Sequence, residues 1–172
     1  MLRLRKAPSL RCTNAGGWAA LAALALTSIA APAEPALDLG RMRGQVVVVD
    51  FWASWCVPCR RSFPWLNAMR AKYADRGLVI IGVNVDKSRE DAERFLASTP
   101  ATFEIVYDPE GALPARFGVN GMPSSFVFDR SGKLVVTHLG FRNGRRAEYE
   151  RVLRETLDRG DSAADREPVK SR

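Results

Sequence analysis

An α/β sandwich with a mixed sheet is the fold class this sequence predicts, and three features of its patterning carry the prediction. Two aliphatic, β-branched runs, 45-QVVVVDFW-52 and 78-LVIIGVNV-85, lack polar alternation, as strands covered on both faces do. Helical spacing separates them, with apolar residues recurring at Phe63, Leu66, Met69 and Tyr73. Two buried strands joined through a helix pair in parallel by a right-handed crossover. By contrast, 125-SFVFD-129 and 133-KLVVTHL-139 flank Arg130, Ser131 and Gly132 at hairpin spacing, so the sheet also has an antiparallel part.

Taken in order, 34-EPALDLGRMRGQ-45 is a turn-rich lead-in to the first strand. The helix after that strand covers residues 56–73, is expected to kink at Pro64 after its first turn, and is stopped by Gly77. Ser88 with Asp91 fits a capping box that opens a second helix running to about Ser98. The segment 104-EIVYD-108 reads as a short strand closed by the turn Asp108-Pro109-Glu110-Gly111. A short helix, 112-ALPARF-117, ends at Gly118, and a last helix over residues 145–157 puts Tyr149, Val152, Leu153 and Leu157 on one face. The tail, residues 160–172, has too little apolar content to pack and is expected to be disordered.

The 172 residues suit one domain, and a hydrophobic content of 47% fills a single core. A net charge of +7 raises the question of a polyanionic partner until the charges are located. Arg3, Arg5, Lys6 and Arg11 precede the first acid, and without them 22 of the 26 basic residues face 19 acidic ones. Pairs such as Arg60-Arg61 and Arg145-Arg146 are interspersed with acids, which reads as a solvated surface and not as a nucleic-acid footprint.

Those four cations lead into 16-GGWAALAALALTSIAAPA-33, an apolar stretch closing on Ala31-Pro32-Ala33, the small residues a signal peptidase accepts. Residues 1–33 therefore read as a secretory signal peptide, with an uncleaved membrane anchor as the alternative. The stretch is rich in alanine, contains Thr27 and Ser28, and barely reaches the ~18 residues that span a bilayer. No twin arginine occurs near the start, so translocation in an unfolded state is favoured. The domain itself is expected over residues 34–159, in a periplasmic or otherwise exported location, anchored to the membrane only if the leader stays attached.

Cys12 leaves with the leader, so the exported chain keeps Cys56 and Cys59 alone. A bridge between them closes too short a loop to act as a staple, because the entropy it removes from the unfolded chain grows with loop length. Structural zinc wants four ligands, and beyond the cysteines only His138 offers itself, alone on a predicted strand. It is assigned no role. Two thiolates suit Cu(I), which stays open as an alternative; otherwise no cofactor is expected beyond the Cys56–Cys59 pair itself. A reactive dithiol explains the spacing better. At a helix N-terminus, unpaired N–H groups and the helix dipole stabilise the Cys56 thiolate, and Cys59 follows one turn later on the same face. A thiol pKa lowered from ~8.5 to ~7 corresponds to ~2 kcal/mol in favour of the thiolate without making the sulfur a poor nucleophile. Pro58 fits the first helical turn, where its missing donor is no loss.

At this point the sequence resembles a known family. WCVPC after a buried strand, Pro64 beyond the second cysteine, and Met122-Pro123 ahead of SFVFD resemble the thioredoxin fold, a three-layer α/β/α sandwich with a mixed sheet. The segments 44-GQVVVVDFWASWCVPCRRSFP-64, 81-IGVNVD-86, 118-GVNGMPSSFVFDRSGKLV-135 and 139-LGFRNG-144 are most similar to the exported TlpA/ResA-like disulfide reductases, a match covering about residues 37–157.

The resemblance implies that Cys56 attacks a substrate disulfide and Cys59 resolves it. It also implies that Pro123 is cis opposite the cysteines, that the Met122 backbone pairs with the substrate chain, and that Trp52 and Trp55 pack around the site. From local sequence alone Pro123 is as well read as an ordinary loop proline, and Trp52 as a core aromatic. Trp55, Val57, Pro58, Met122 and Pro123 are thus the candidate substrate-binding residues. Two departures stand out. The family often has asparagine at position 50 and an acid at 62, where this chain has Asp50 and Ser62. Asp50 matches instead the buried acid of ordinary thioredoxins, a proton acceptor for Cys59 whose pKa burial would raise; a strand-end surface residue is the alternative. The family's N-terminal hairpin has almost no residues left after cleavage, which leaves the sheet edge open.

The implied activity is extracytoplasmic thiol–disulfide exchange. The direction is reducing, because Val57-Pro58 lacks the histidine with which strong oxidants of this fold stabilise the thiolate. Implied partners are client proteins with cysteine pairs, such as the CxxCH motifs of apocytochrome c during cytochrome c biogenesis or copper-site thiols of respiratory oxidases, and a membrane-embedded electron donor. A copper-binding chaperone for oxidase assembly, without turnover, is the competing function.

Overall fold

The computed structural model describes residues 37–164, so the segment expected to be a leader, Cys12 within it, and residues 34–36 and 165–172 lie outside the described part. Chain order is β1 (Val46–Trp52), α1 (Val57–Tyr73), β2 (Leu78–Asn84), α2 (Arg89–Ser98), β3 (Glu104–Tyr107), α3 (Ala112–Phe117), β4 (Ser124–Phe128), β5 (Leu134–Leu139) and α4 (Arg146–Ala164). The strands form one sheet in the order β3-β2-β1-β4-β5. β1, β2 and β3 run parallel, while β4 is antiparallel to both β1 and β5, so the predicted mixed sheet is present. The unalternated run of β1 has its cause in the layering: every one of its residues is buried, because helices cover both faces.

On one face Val46, Val48 and Trp52 pack with Phe63, Leu66 and Met69 of α1, Phe95 of α2, and Leu153 and Leu157 of α4. On the other, Val47, Val49 and Phe51 meet Leu37, Leu113 and Phe117. The first face holds an aromatic knot in which Trp52 lies 5.0 Å from Phe63 and 4.8 Å from Phe95 between ring centroids. Gly82 makes room for it, since a Cβ there would come within 3.1 Å of the Trp52 indole and 2.9 Å of Phe103. Trp52 is thus a fully buried core residue beneath the cysteine loop and not part of its rim.

Local signals placed most boundaries. Ser88 accepts a hydrogen bond from the Asp91 N–H at the start of α2. Gly77, at φ 80°, closes the 3-10 turn Ala74–Arg76 that follows α1, and Gly118, at φ 65°, ends α3. Pro64 lies inside α1, where its ring denies the Arg60 carbonyl a partner. One boundary differs. α4 runs on through Ala164, into the residues expected to be a disordered tail, because the helical register laid down by Leu153 and Leu157 continues without a breaking proline. No N-terminal hairpin occurs among the described residues; a 3-10 turn, Leu39–Met42, capped by Asp38, leads straight into β1. Among them, too, no helix is long and apolar enough to cross a membrane.

Candidate functional site

β1 ends in the sheet centre, and the chain leaves it through 53-ASWC-56 into α1. This loop is held from below. Asp86, 5% exposed just past the end of β2, accepts hydrogen bonds from the Ser54 N–H (2.8 Å), the Ser54 hydroxyl (2.9 Å) and the Asn84 amide (2.7 Å). The Val85 N–H adds a 3.1 Å bond to the Trp52 carbonyl. Asp86→Ala would strand two N–H donors and a hydroxyl close beneath the cysteines, each costing about 1–3 kcal/mol when buried. A loss of about 3 kcal/mol in urea unfolding is expected, with a smaller loss for Asp86→Asn, which keeps one acceptor oxygen.

Cys56 is the N-cap of α1, and its sulfur accepts from the Cys59 N–H at 3.2 Å. The two cysteines are joined in a disulfide of S–S 2.02 Å with 5.3 Å between Cα atoms. Pro58 stands in the first turn of the helix, where its lack of an N–H leaves no gap. Exposure separates the two cysteines: Cys56 as a residue retains 3% of its surface and Cys59 none. An incoming group therefore meets Cys56 first. The flanking side chains are far more open, Trp55 at 68% and Val57 at 64%. Trp55, next to Cys56 in the chain, is open to solvent.

The Met122-Pro123 peptide bond is cis. Register brings it to the cysteine end of the sheet: Ser124 pairs with Phe51, so Pro123, one residue earlier on the antiparallel strand, comes beside the end of β1. The Gly140 N–H anchors it by a 2.7 Å bond to the Pro123 carbonyl. Met122 is half-buried and packs against the cluster that contains both cysteines.

Asp50 is fully buried between Val48 and Trp52 on the sheet face that α1 covers. Burial away from water lifts its carboxyl from 3.8 to about 7, against a smaller lowering by the Ser125 hydroxyl, which donates to Oδ1 at 2.5 Å. Oδ2 has no hydrogen-bond partner in the protein. The strand-end surface reading of Asp50 is thereby excluded. An acid that changes charge near neutrality, on the sheet face covered by the helix that the disulfide opens, equips this site to hold a thiolate and accept a proton.

Sequence reasoning passed over four residues here: Ser54, Asn84 and Asp86, which fix the loop, and Ser125, which holds Asp50. Asn84 and Asp86 did carry a signal, as polar residues closing an otherwise apolar run. Ser125 carried none, because its partner is 75 positions away.

Comparison with known proteins gives a consistent picture. The Redoxin family model matches residues 9–153. The thiol-disulfide oxidoreductase ResA of Geobacillus thermodenitrificans is 35% identical over 92 residues, 54% of this chain and 53% of that protein. ResA of Bacillus subtilis is 28% identical over 99 residues, covering 58% and 55%. The chain thus spans about half the length of the curated relatives it matches. Among solved structures, a Chlorobium tepidum protein assigned as thiol:disulfide interchange protein DsbE is 46% identical, with TM-score 0.68 over 70% of this chain and 86% of that one. The exposed lipoprotein thioredoxin Etrx1 of Streptococcus pneumoniae is 28% identical, with TM-score 0.59 over 68% and 89%.

Proposed function

We propose that this chain, which belongs to the Redoxin family and is TlpA/ResA-like, is a thiol–disulfide oxidoreductase that reduces disulfides in client proteins by dithiol–disulfide exchange. The observation that carries the reading is the Cys56–Cys59 pair at the mouth of α1, with only Cys56 reaching solvent and a buried acid on the same sheet face. Cys56 as thiolate attacks one sulfur of the client disulfide, forming a mixed disulfide and releasing the other client sulfur. Cys59 loses its proton to Asp50 and attacks Cys56, which closes the internal disulfide and frees the second client sulfur. Two electrons pass to the client, and a donor must return them. Trp55 and Val57 offer exposed apolar surface on either side of Cys56, Pro58 shapes the turn between the cysteines, and Met122 with cis-Pro123 presents backbone for the client to pair with.

The working place is extracytoplasmic, with residues 1–33 as an export signal or anchor, residues 34–159 as the thioredoxin-like domain, and a membrane-embedded protein as electron donor. Clients are proteins with oxidised cysteine pairs, apocytochrome c or respiratory copper sites among them. Reduction of insulin by the purified protein under a thiol donor, against Cys56→Ser as control, tests the reading. Turnover well above the control is expected, with a Cys56/Cys59 potential near or below ~−270 mV; a value near ~−120 mV would make the protein an oxidant. Stoichiometric Cu(I) on the reduced protein, with no turnover, would replace the reductase by a copper carrier.

A further inference from the structure

Three polar residues stand in one row across the sheet. Asp50 of β1 is the register partner of Ser125 on β4, and Ser125 is the register partner of His138 on β5. Directly opposed residues share a sheet face, here the face covered by α1 and α4, where His138 packs 4.7 Å from the Tyr149 ring. Two atoms of the row are buried and unpartnered, Asp50 Oδ2 at one end and His138 Nε2 at the other. Ser125 and His138, though not Asp50, both line a small cavity of about 20 Å³, walled otherwise by Trp65, Tyr149 and apolar groups such as Val127 and Leu153. One water needs about 10–15 Å³ and at least two polar partners, and this cavity provides the room and the partners.

We propose that Asp50, Ser125 and His138 form a proton exit from the disulfide site, in which Ser125, through one water held in the cavity, hands the Cys59 proton on from Asp50 to His138. The inference rests on the exchange reaction proposed above. During resolution the Cys59 S–H proton moves to Asp50 as the Cys56–Cys59 bond forms and the bond from Cys56 to the client breaks. The protonated carboxyl then donates to the Ser125 oxygen. Ser125 turns its own proton toward the water, which protonates the buried Nε2, and half-buried His138 then gives up the proton of its other ring nitrogen, Nδ1, to solvent. The buried carboxylate is restored, and the client thiolate takes its proton from bulk water. Both ends suit the transfer: Asp50 titrates near neutrality, and burial holds the His138 imidazolium below 6.5, so the ring is a neutral acceptor. Among charged neighbours of His138, Arg145 lowers it further and Glu148 opposes; the Tyr149 ring covers it.

The test is stopped-flow reaction of the reduced protein with an aromatic disulfide whose thiol is coloured. The first coloured thiol released reports attack by Cys56 and the second reports resolution by Cys59. Ser125→Ala and His138→Gln are expected to slow the second release about tenfold around pH 7, with the first unchanged. Ser125→Thr, which keeps the hydroxyl, should restore it. Equal slowing of both releases would mark a structural role and overturn the relay, as would a second release untouched in His138→Gln. That variant decides the matter alone if Ser125→Ala fails to fold. A wild type that yields no second release overturns the exchange reaction itself, whereas a competent wild type with unaffected variants overturns only the relay.

Discussion

Cys59→Ser is expected to arrest the protein as a covalent mixed disulfide with its client, held through Cys56 and visible as a reducible band on gels. Multiple-turnover insulin reduction should fall to the background shown by Cys56→Ser, a loss of about a thousandfold or more, because a serine hydroxyl does not displace a thiolate from a disulfide. The arrest has a structural cause. Cys59 is fully buried and Cys56 keeps its only opening to solvent, so a client sulfur bound to Cys56 shields that sulfur from other thiols. The variant should stay folded, since a bridge closing a four-residue loop contributes about 2 kcal/mol. Retained multiple turnover in Cys59→Ser would remove Cys59 from the mechanism.

Asp50→Asn should separate stability from activity. The carboxyl titrates at about 7 when folded and at 3.8 when free of the fold. Below pH 3.8 it is protonated in both states, and the stability linked to it is fully present. Between pH 4 and 7 the folded chain binds a proton that the unfolded chain has lost, so this stability falls as pH rises and levels off above about pH 7. A difference of about three pH units amounts to roughly 4 kcal/mol across the window, an upper figure for a group fully removed from water. Urea unfolding of the wild type between pH 4 and pH 8 should show that decline, and Asp50→Asn should not. In the same variant the resolution step should slow about a hundredfold, the lower end of what a positioned base supplies, while Cys56 attack is spared. A pH-stability profile that is identical in the two proteins would mean that the carboxyl is not shielded from water as the fold implies.

What could be read in advance depended on how local each signal was. The start of α2 at Ser88, the turn at Gly111 and the end of α3 at Gly118 are decided within four residues of chain, and each fell where its capping residue put it. The C-terminal limit of α4 was misplaced because composition was used where helical continuity prevailed. Trp52 and Trp55, three positions apart, were both expected around the site, with a core role left open for Trp52. One became the centre of the aromatic knot and the other an exposed rim residue, since β1 ends between them and the loop turns Trp55 outward.

By itself the sequence determined the order of elements, the mixed sheet, and a cysteine pair at the start of a helix, because hydrophobic period, capping chemistry and a spacing of three residues are all encoded within single segments. Only the tertiary structure decided that Asp86 grips the cysteine loop from the next strand, that Cys56 and not Cys59 meets solvent, and that Asp50, Ser125 and His138 share one row. Those facts depend on strand register and layer packing, which join residues 13 to 75 positions apart, and no local pattern states which residue will face which across a sheet.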